Sequence, residues 1–191
     1  MSKSPSPFTI RLATIEDVPV LQDLIADSVR VLQAKEYTDE QRESAIRVVY
    51  GVDTQLIRDG TYFAVDWDRQ IVACGGWSRR KTLFGGDQHR PSRADSLLDP
   101  ASEPARIRAF FIRPGWERQG IGSALVRACE QAAIAEGFRQ MEMASTLTGV
   151  ALYSVHGYRE AEHIDVPLER GLVLPVIRMI KTIRSSPGAY R

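Results

Sequence analysis

The stretch Arg113 to Leu125, RPGWERQGIGSAL, constrains the fold more than any other part of the chain. It sets Pro114 and the glycines 115, 120 and 122 between an apolar run, ARIRAFFI, and a sustained helical pattern. A strand that enters a glycine turn and leaves it as a helix is the repeating unit of an α/β layered domain. Behind the turn, Ile121, Leu125, Ala128, Ala132 and Ala135 recur at steps of four and three, and Gly137 supplies a stop. Such a helix begins with N–H groups that lack helical partners, at the positive end of its dipole, which makes it a site for a phosphate.

Two familiar phosphate loops are excluded by single residues. A Walker A loop requires Lys after its last glycine, and Ile121 stands there. A dinucleotide fingerprint requires a third glycine where helix and strand touch, and Leu125 occupies that place. No acidic residue closes a partner strand about 20 residues later either. What remains is anion binding by backbone amides alone.

The rest of the chain supplies the layers. FTIRL alternates as a strand, and DVPVLQDLIADSVRVLQ reads as a helix with Asp17 as N-cap and Pro19 in the first turn. TDEQRESAIRVVYG reads as a second helix, capped by Thr38 or Asp39 and stopped at Gly51. TYFAVD and QIVACGGWS form a hairpin about residues 67–69. QMEMA is a short strand, TGVALYSVHG a short helix ended by Gly157, and YREAEHIDVPL with LVLPVIRMIKTI a terminal hairpin about residues 169–171. The expected order is β-α-α-β-β-β-α-β-α-β-β in one domain over 1–191, with loose termini (about 1–7 and 185–191) and a long loop over 81–104.

Charge and cysteine content narrow the partners. A net charge of +1 offers no clustered positive field for nucleic acid or an anionic membrane, so neither is expected as a partner. Cys74 and Cys129 form no ligand pattern with His89, His156 or His163, so no metal is expected. Unpatterned cysteines and no apolar leader point to a cytoplasmic setting.

FFIRPGWERQGIGSALV followed by ASTLTGVALYSVHGYRE resembles the GNAT superfamily of N-acetyltransferases, and the element order extends the likeness across the chain. The resemblance implies an α/β fold with a mixed, mostly antiparallel central sheet, helices on both faces, and a splayed parallel strand pair forming an acetyl-CoA cleft. It implies acetyl-CoA as cosubstrate, with Phe110, Phe111 and Ile112 offering backbone groups to the pantetheine arm. Arg118, Gln119, Gly120, Ile121, Gly122 and Ser123 would surround the pyrophosphate, and Thr148 would lie in the coenzyme site. Glu117 stands where the family motif usually has Gln or Arg. Thr146 and Thr148 fill the region where the family often has an Asn.

Acetyl transfer from a thioester to an amine needs a neutral amine, a polarised carbonyl and a proton for the thiolate. By the resemblance, Tyr153 is the catalytic residue that meets the sulfur, and a backbone N–H near Phe111 or Ile112 polarises the carbonyl. The base stays open between Glu142, Glu103 and a chain of waters. Neither cysteine sits where it would carry an acyl group, so direct attack in a ternary complex is expected. The acceptor is expected to be a small-molecule amine, and the protein a monomer or homodimer. A module that binds or senses acetyl-CoA without turning it over is the rival reading. In GGWSRRK, Trp77, Arg79 and Arg80 read either as an acceptor pocket or as a solvated charge run, and the 82–104 loop as a lid or an insertion.

Overall fold

The computed structural model describes residues 7–89 and 96–183. The termini read as loose, apart from Pro7, and the centre of the long loop lie outside the described residues. The strands are β1 (Thr9–Leu12), β2 (Tyr62–Trp67), β3 (Gln70–Ser78), β4 (Ala105–Ile112), β5 (Gln140–Thr146), β6 (Arg159–Pro167) and β7 (Val173–Thr182). The helices are α1 (Val18–Leu32), α2 (Asp39–Val48), α3 (Thr54–Arg58), α4 (Ile121–Ala135) and α5 (Val150–Val155). Short 3-10 turns at 15–17, 87–89, 147–149 and 169–171 join them. The order is the expected one with α3 added, a helix of 5 residues that is too short to show a period. Its signal is Asp53, whose carboxylate accepts from Gln55 N at 3.0 Å.

Local caps explain most boundaries. Thr38 caps α2 through Gln41 N, and the Gln41 side chain returns the bond to Thr38 N. Asp17 does not cap α1. Its carboxylate reaches back to Thr14 N at 2.8 Å and to Arg11, closing the preceding 3-10 turn. Helix α4 ends as expected at Gly137 (φ +90°), where Phe138 N bonds Ala133 O and Gly137 N bonds Ile134 O.

The strands form one sheet in the order β1-β2-β3-β4-β5-β7-β6, antiparallel except for β4 and β5. The run LVLPVI, which as a sequence could have paired across a dimer, lies inside this sheet: β7 pairs β5 on one side and β6 on the other. Alternation along the strands divides the core into two layers. Ala64, Cys74 and Phe111 meet Leu21, Leu24 and Ile25 of α1, while Ala45 of α2 and Val49 at its C-terminal cap pack on Leu174 and Val176 of the same face. Val65, Val72 and Ala73 meet Ile121 and Leu125 of α4 on the other face, where α5 adds Tyr153. Helices thus cover both faces.

Two departures from regular pairing open the sheet in the middle. Ala109 has φ +53°, and the β3–β4 register slips there, so Ala109 and Phe110 together oppose Gly75. The Phe110 ring then lies over Gly75, where a Cβ would come within 2.4 Å of it. The second departure is that β4 and β5 pair only at Ala105–Met141 and Arg106–Glu142. Beyond those pairs the parallel strands diverge.

A buried ion pair braces the diverging strand. Arg108, 3% exposed at its side chain, meets Asp53 at 2.9 Å and donates to Thr82 O and Gly85 O. Removing one partner of a buried pair leaves a charge without compensation and costs ~3 to 5 kcal/mol. Asp53→Ala also loses the α3 cap. It is expected to lower the free energy of unfolding by that amount, read as a lower urea midpoint at an unchanged denaturant slope.

Candidate active site

A cleft of about 750 Å³ fills the gap between the diverging strands. Because the sheet itself is parted, side chains from both faces line it. Phe110, Ile112 and the start of α4 contribute from one face, and Phe111, the end of α1 and residues 83–86 from the other.

The glycine turn forms one wall. Pro114 and Gly115 (φ +88°) occupy the corners of a turn in which Trp116 N bonds Arg113 O at 3.1 Å. Trp116 packs on Trp67 with ring centroids 5.0 Å apart, which anchors the loop to the β2–β3 hairpin. Arg118 (φ +64°) and Gly120 (φ +81°) then turn the chain into α4, with Gly120 as N-cap. The first helical bond is Ala124 N to Gly120 O, so the amides of Ile121, Gly122 and Ser123 have no helical partner. Gly122 is small for a different reason: a Cβ would come within 3.1 Å of Leu152 on α5. Gly120, Gly122, Ser123 and Arg118 line the cleft, so the end of the helix dipole and its free donors face that space.

Tyr153 forms the wall opposite. Its ring stands between Phe110, at 6.2 Å, and Tyr158, at 5.8 Å and edge-on. The α5 C-terminus is fixed by Gly157 (φ +84°) and by Tyr158 N bonding Tyr153 O. Burial, with a smaller contribution from Cys129, pushes the phenol's pKa up, so it keeps its proton at neutral pH. The 3-10 turn ahead of α5 is tied down by Tyr37, which accepts from Leu147 N at 2.9 Å and donates to Pro175 O at 2.7 Å. Burial raises the Tyr37 phenol to about 12, so it remains a donor throughout the working range.

The acetyltransferase (GNAT) family model matches residues 24–158, from within α1 to the residue before β6. The chain belongs to the GNAT acetyltransferase family. Solved structures agree in fold. A GCN5-related N-acetyltransferase from Rhodopseudomonas palustris superposes with a TM-score of 0.68 at 17% identity, over 95% of this chain and 98% of that one. PaiA N-acetyltransferase from Thermoplasma acidophilum, solved with coenzyme A, gives 0.62 at 14% identity, over 92% and 98%. YncA from Salmonella typhimurium, a putative acetyltransferase solved with acetyl-CoA, gives 0.61 at 13% identity, over 95% and 97%. No curated protein matches the chain.

Within this GNAT fold the residues expected around the coenzyme divide. Phe110, Phe111, Ile112, Arg118, Gly120, Gly122, Ser123 and Thr148 line the cleft, together with Glu117. Gln119 is exposed away from it, and the Ile121 side chain is 1% exposed in the core beneath the turn. Ile121 therefore offers only its amide. Leu125 is fully buried in the same cluster, which is why a glycine is not needed there.

Several other expectations change. Glu142 is 3% exposed and held between Arg106 and Arg178, at the closed end where β4 and β5 still pair. A carboxylate fixed by two guanidinium groups outside the cleft is no base for an amine. Glu103 is equally remote, accepting from Asp99 N and facing Lys81 at 3.6 Å. Trp77 is a core residue against Phe138, while Arg79 pairs with Glu136 and Arg80 with Asp59. None of the three belongs to an acceptor pocket. His156, for which the sequence suggested no role, bonds Ser123 Oγ through Nε2 at 2.9 Å and joins the end of α5 to the start of α4. Burial is the main reason its pKa is lowered. Cys74 and Cys129 are fully buried, and burial raises Cys74 to about 12 and holds Cys129 well above its ordinary value, so neither is a nucleophile. Among the described residues there is no group of three or more potential metal ligands, and no helix long and apolar enough to cross a membrane.

Proposed function

We propose that the chain is a one-domain, acetyl-CoA-dependent N-acetyltransferase that acetylates the amine of a small molecule by direct attack in a ternary complex. The observation that carries this reading is that one cleft brings together the unpartnered amides of α4, the bulged β4 and the buried, protonated Tyr153. The cleft fits acetyl-CoA as substrate: amide donors for a pyrophosphate, parted strand edges for an amide-bearing arm, and apolar walls for a thioester. The fold shared with structures that contain coenzyme A or acetyl-CoA supports it.

In this reading Arg118, Gly120, Gly122 and Ser123 with the Ile121 amide hold the pyrophosphate. Phe110, Phe111 and Ile112 align the pantetheine along β4, and Thr148 closes the site from the 3-10 turn ahead of α5. A β4 amide at Phe111 or Ile112, beside the bulge, polarises the thioester carbonyl. The amine nitrogen bonds to the acetyl carbon, the carbon–sulfur bond breaks, the sulfur receives the Tyr153 proton, and the proton lost by the amine passes to water, which restores the Tyr153 phenol. No carboxylate stands on the acceptor side among the described lining residues, which is why water takes that role.

The test pairs calorimetric titration with acetyl-CoA and amine-dependent thiol release from it. Micromolar binding with turnover of at least one amine is the expected result. Micromolar binding with no turnover over a broad amine panel would favour a sensing module instead.

A further inference from the structure

The half of the cleft that α1 and α2 cover is a chamber with its own chemistry. Leu32, Val49, Phe84 and Phe111 form its apolar walls, with Tyr50 set edge-on to Phe111 at 5.6 Å. Helices α4 and α5 lie across the sheet from it, so a coenzyme seated on the α4 amides reaches this side only with its acetyl end.

The chamber presents no uncompensated charge among the described residues. Its cation, Arg108, is neutralised by Asp53 and held by two carbonyls, and Glu117 and Arg118 belong to the glycine turn on the far side. An ammonium or carboxylate brought in here would lose water without gaining a counter-ion. A second observation gives the chamber a polar address. Gln33 is 5% exposed and its side chain meets the Tyr50 hydroxyl, while its Oε1 is buried without a hydrogen-bond partner. Buried polar groups that the fold leaves unpaired await a partner from outside it.

We infer that this chamber is the acceptor site, and that it takes an aryl or arylalkyl primary amine whose ring carries one uncharged hydrogen-bonding group, recognised by Gln33 and Tyr50. This rests on the acetyl-transfer reading for its chemistry but not for its binding. The amine enters neutral because the chamber favours that form, which removes the need for a protein base. Polyamines and free amino acids are rejected by their uncompensated charges.

The experiment compares tyramine, phenethylamine, spermidine and glutamate in thiol release from acetyl-CoA, with wild type, Gln33→Leu and Tyr50→Phe. In wild type, kcat/KM for tyramine is expected to exceed that for phenethylamine by about tenfold, the worth of one neutral hydrogen bond. Both should exceed spermidine and glutamate by a larger factor. In either variant the tyramine-to-phenethylamine ratio should fall toward one. Tyr50→Phe is isosteric and keeps the test sound should Gln33→Leu fold poorly. Spermidine or glutamate as best substrate, or an unchanged ratio in both variants, overturns the assignment and leaves acetyl transfer standing. Calorimetry of tyramine against the protein–coenzyme A complex separates the converse case. Binding that weakens in both variants, without turnover by any amine, supports the chamber and overturns acetyl transfer, and absence of binding and turnover alike overturns the chamber.

Discussion

Gly120→Glu is expected to abolish acetyl-CoA binding while leaving the chain folded. Gly120 has φ +81°, a conformation that costs an L-residue ~1 to 2 kcal/mol. A Cβ there meets no atom within 4 Å, so strain of the backbone is the only steric cost. Part of it is offset, because a carboxylate at a helix N-terminus interacts favourably with the dipole. That same carboxylate then occupies the place of the pyrophosphate and repels it. Two like charges ~4 Å apart at a protein surface oppose each other by about 4 kcal/mol, so affinity should fall by on the order of 10²-fold or more. Calorimetry with acetyl-CoA reads the loss, and a thermal midpoint within a few degrees of wild type shows that folding survives. Gly120→Ala carries the strain without the charge and should keep most of the affinity. Wild-type affinity in the glutamate variant would mean that the helix terminus does not hold the phosphates.

How far the sequence reached follows from where each signal is stored. Elements bounded by local chemistry were legible: Thr38 and Gln41 lie three residues apart, and Gly137 and Gly157 end their helices within one turn of the last periodic residue. The hairpin at Asp68 and Arg69 was legible from its flanking strands, although both turn residues are left-handed without being glycine. Asp17 was misread because two turns compete for one carboxylate, and Arg11 with Thr14 wins it. Helix α3 escaped because its 5 residues span little more than one turn.

The site divides along the same line. The glycine turn and the Tyr153 helix are contiguous stretches, so the proposed donor half was visible in them as a candidate. The acceptor half is assembled from Gln33, Tyr50, Phe84 and Phe111, on four separate segments, and it becomes a chamber only where the bulge at Ala109 and the short β4–β5 pairing part the sheet. That bulge depends on Gly75 facing Phe110 across two strands, a coincidence that no window of sequence contains. Charge was misleading for a related reason. Arg79, Arg80, Glu103 and Glu142 look available one by one, and each is met by a partner far along the chain.

Tyr153→Phe is expected to lower kcat by ~10² to 10⁴-fold, the range for loss of a positioned general acid. The affinity for acetyl-CoA should stay near wild type, because the ring contacts with Phe110 and Tyr158 do not involve the hydroxyl. The pH profile separates this role from mere packing. Burial raises the phenol above its ordinary value, and the raised direction means that the protonated, donating form persists to higher pH. A departing thiolate is disfavoured by the same apolar walls, so the cleft raises acid and leaving group together and keeps proton transfer between them feasible. Wild-type kcat should therefore show no alkaline decline through about pH 10, the ordinary pKa of a tyrosine. A fall in kcat beginning near pH 9 would assign the proton to a group with an ordinary pKa. Undiminished kcat in the phenylalanine variant would leave Tyr153 as a packing residue between Phe110 and Tyr158.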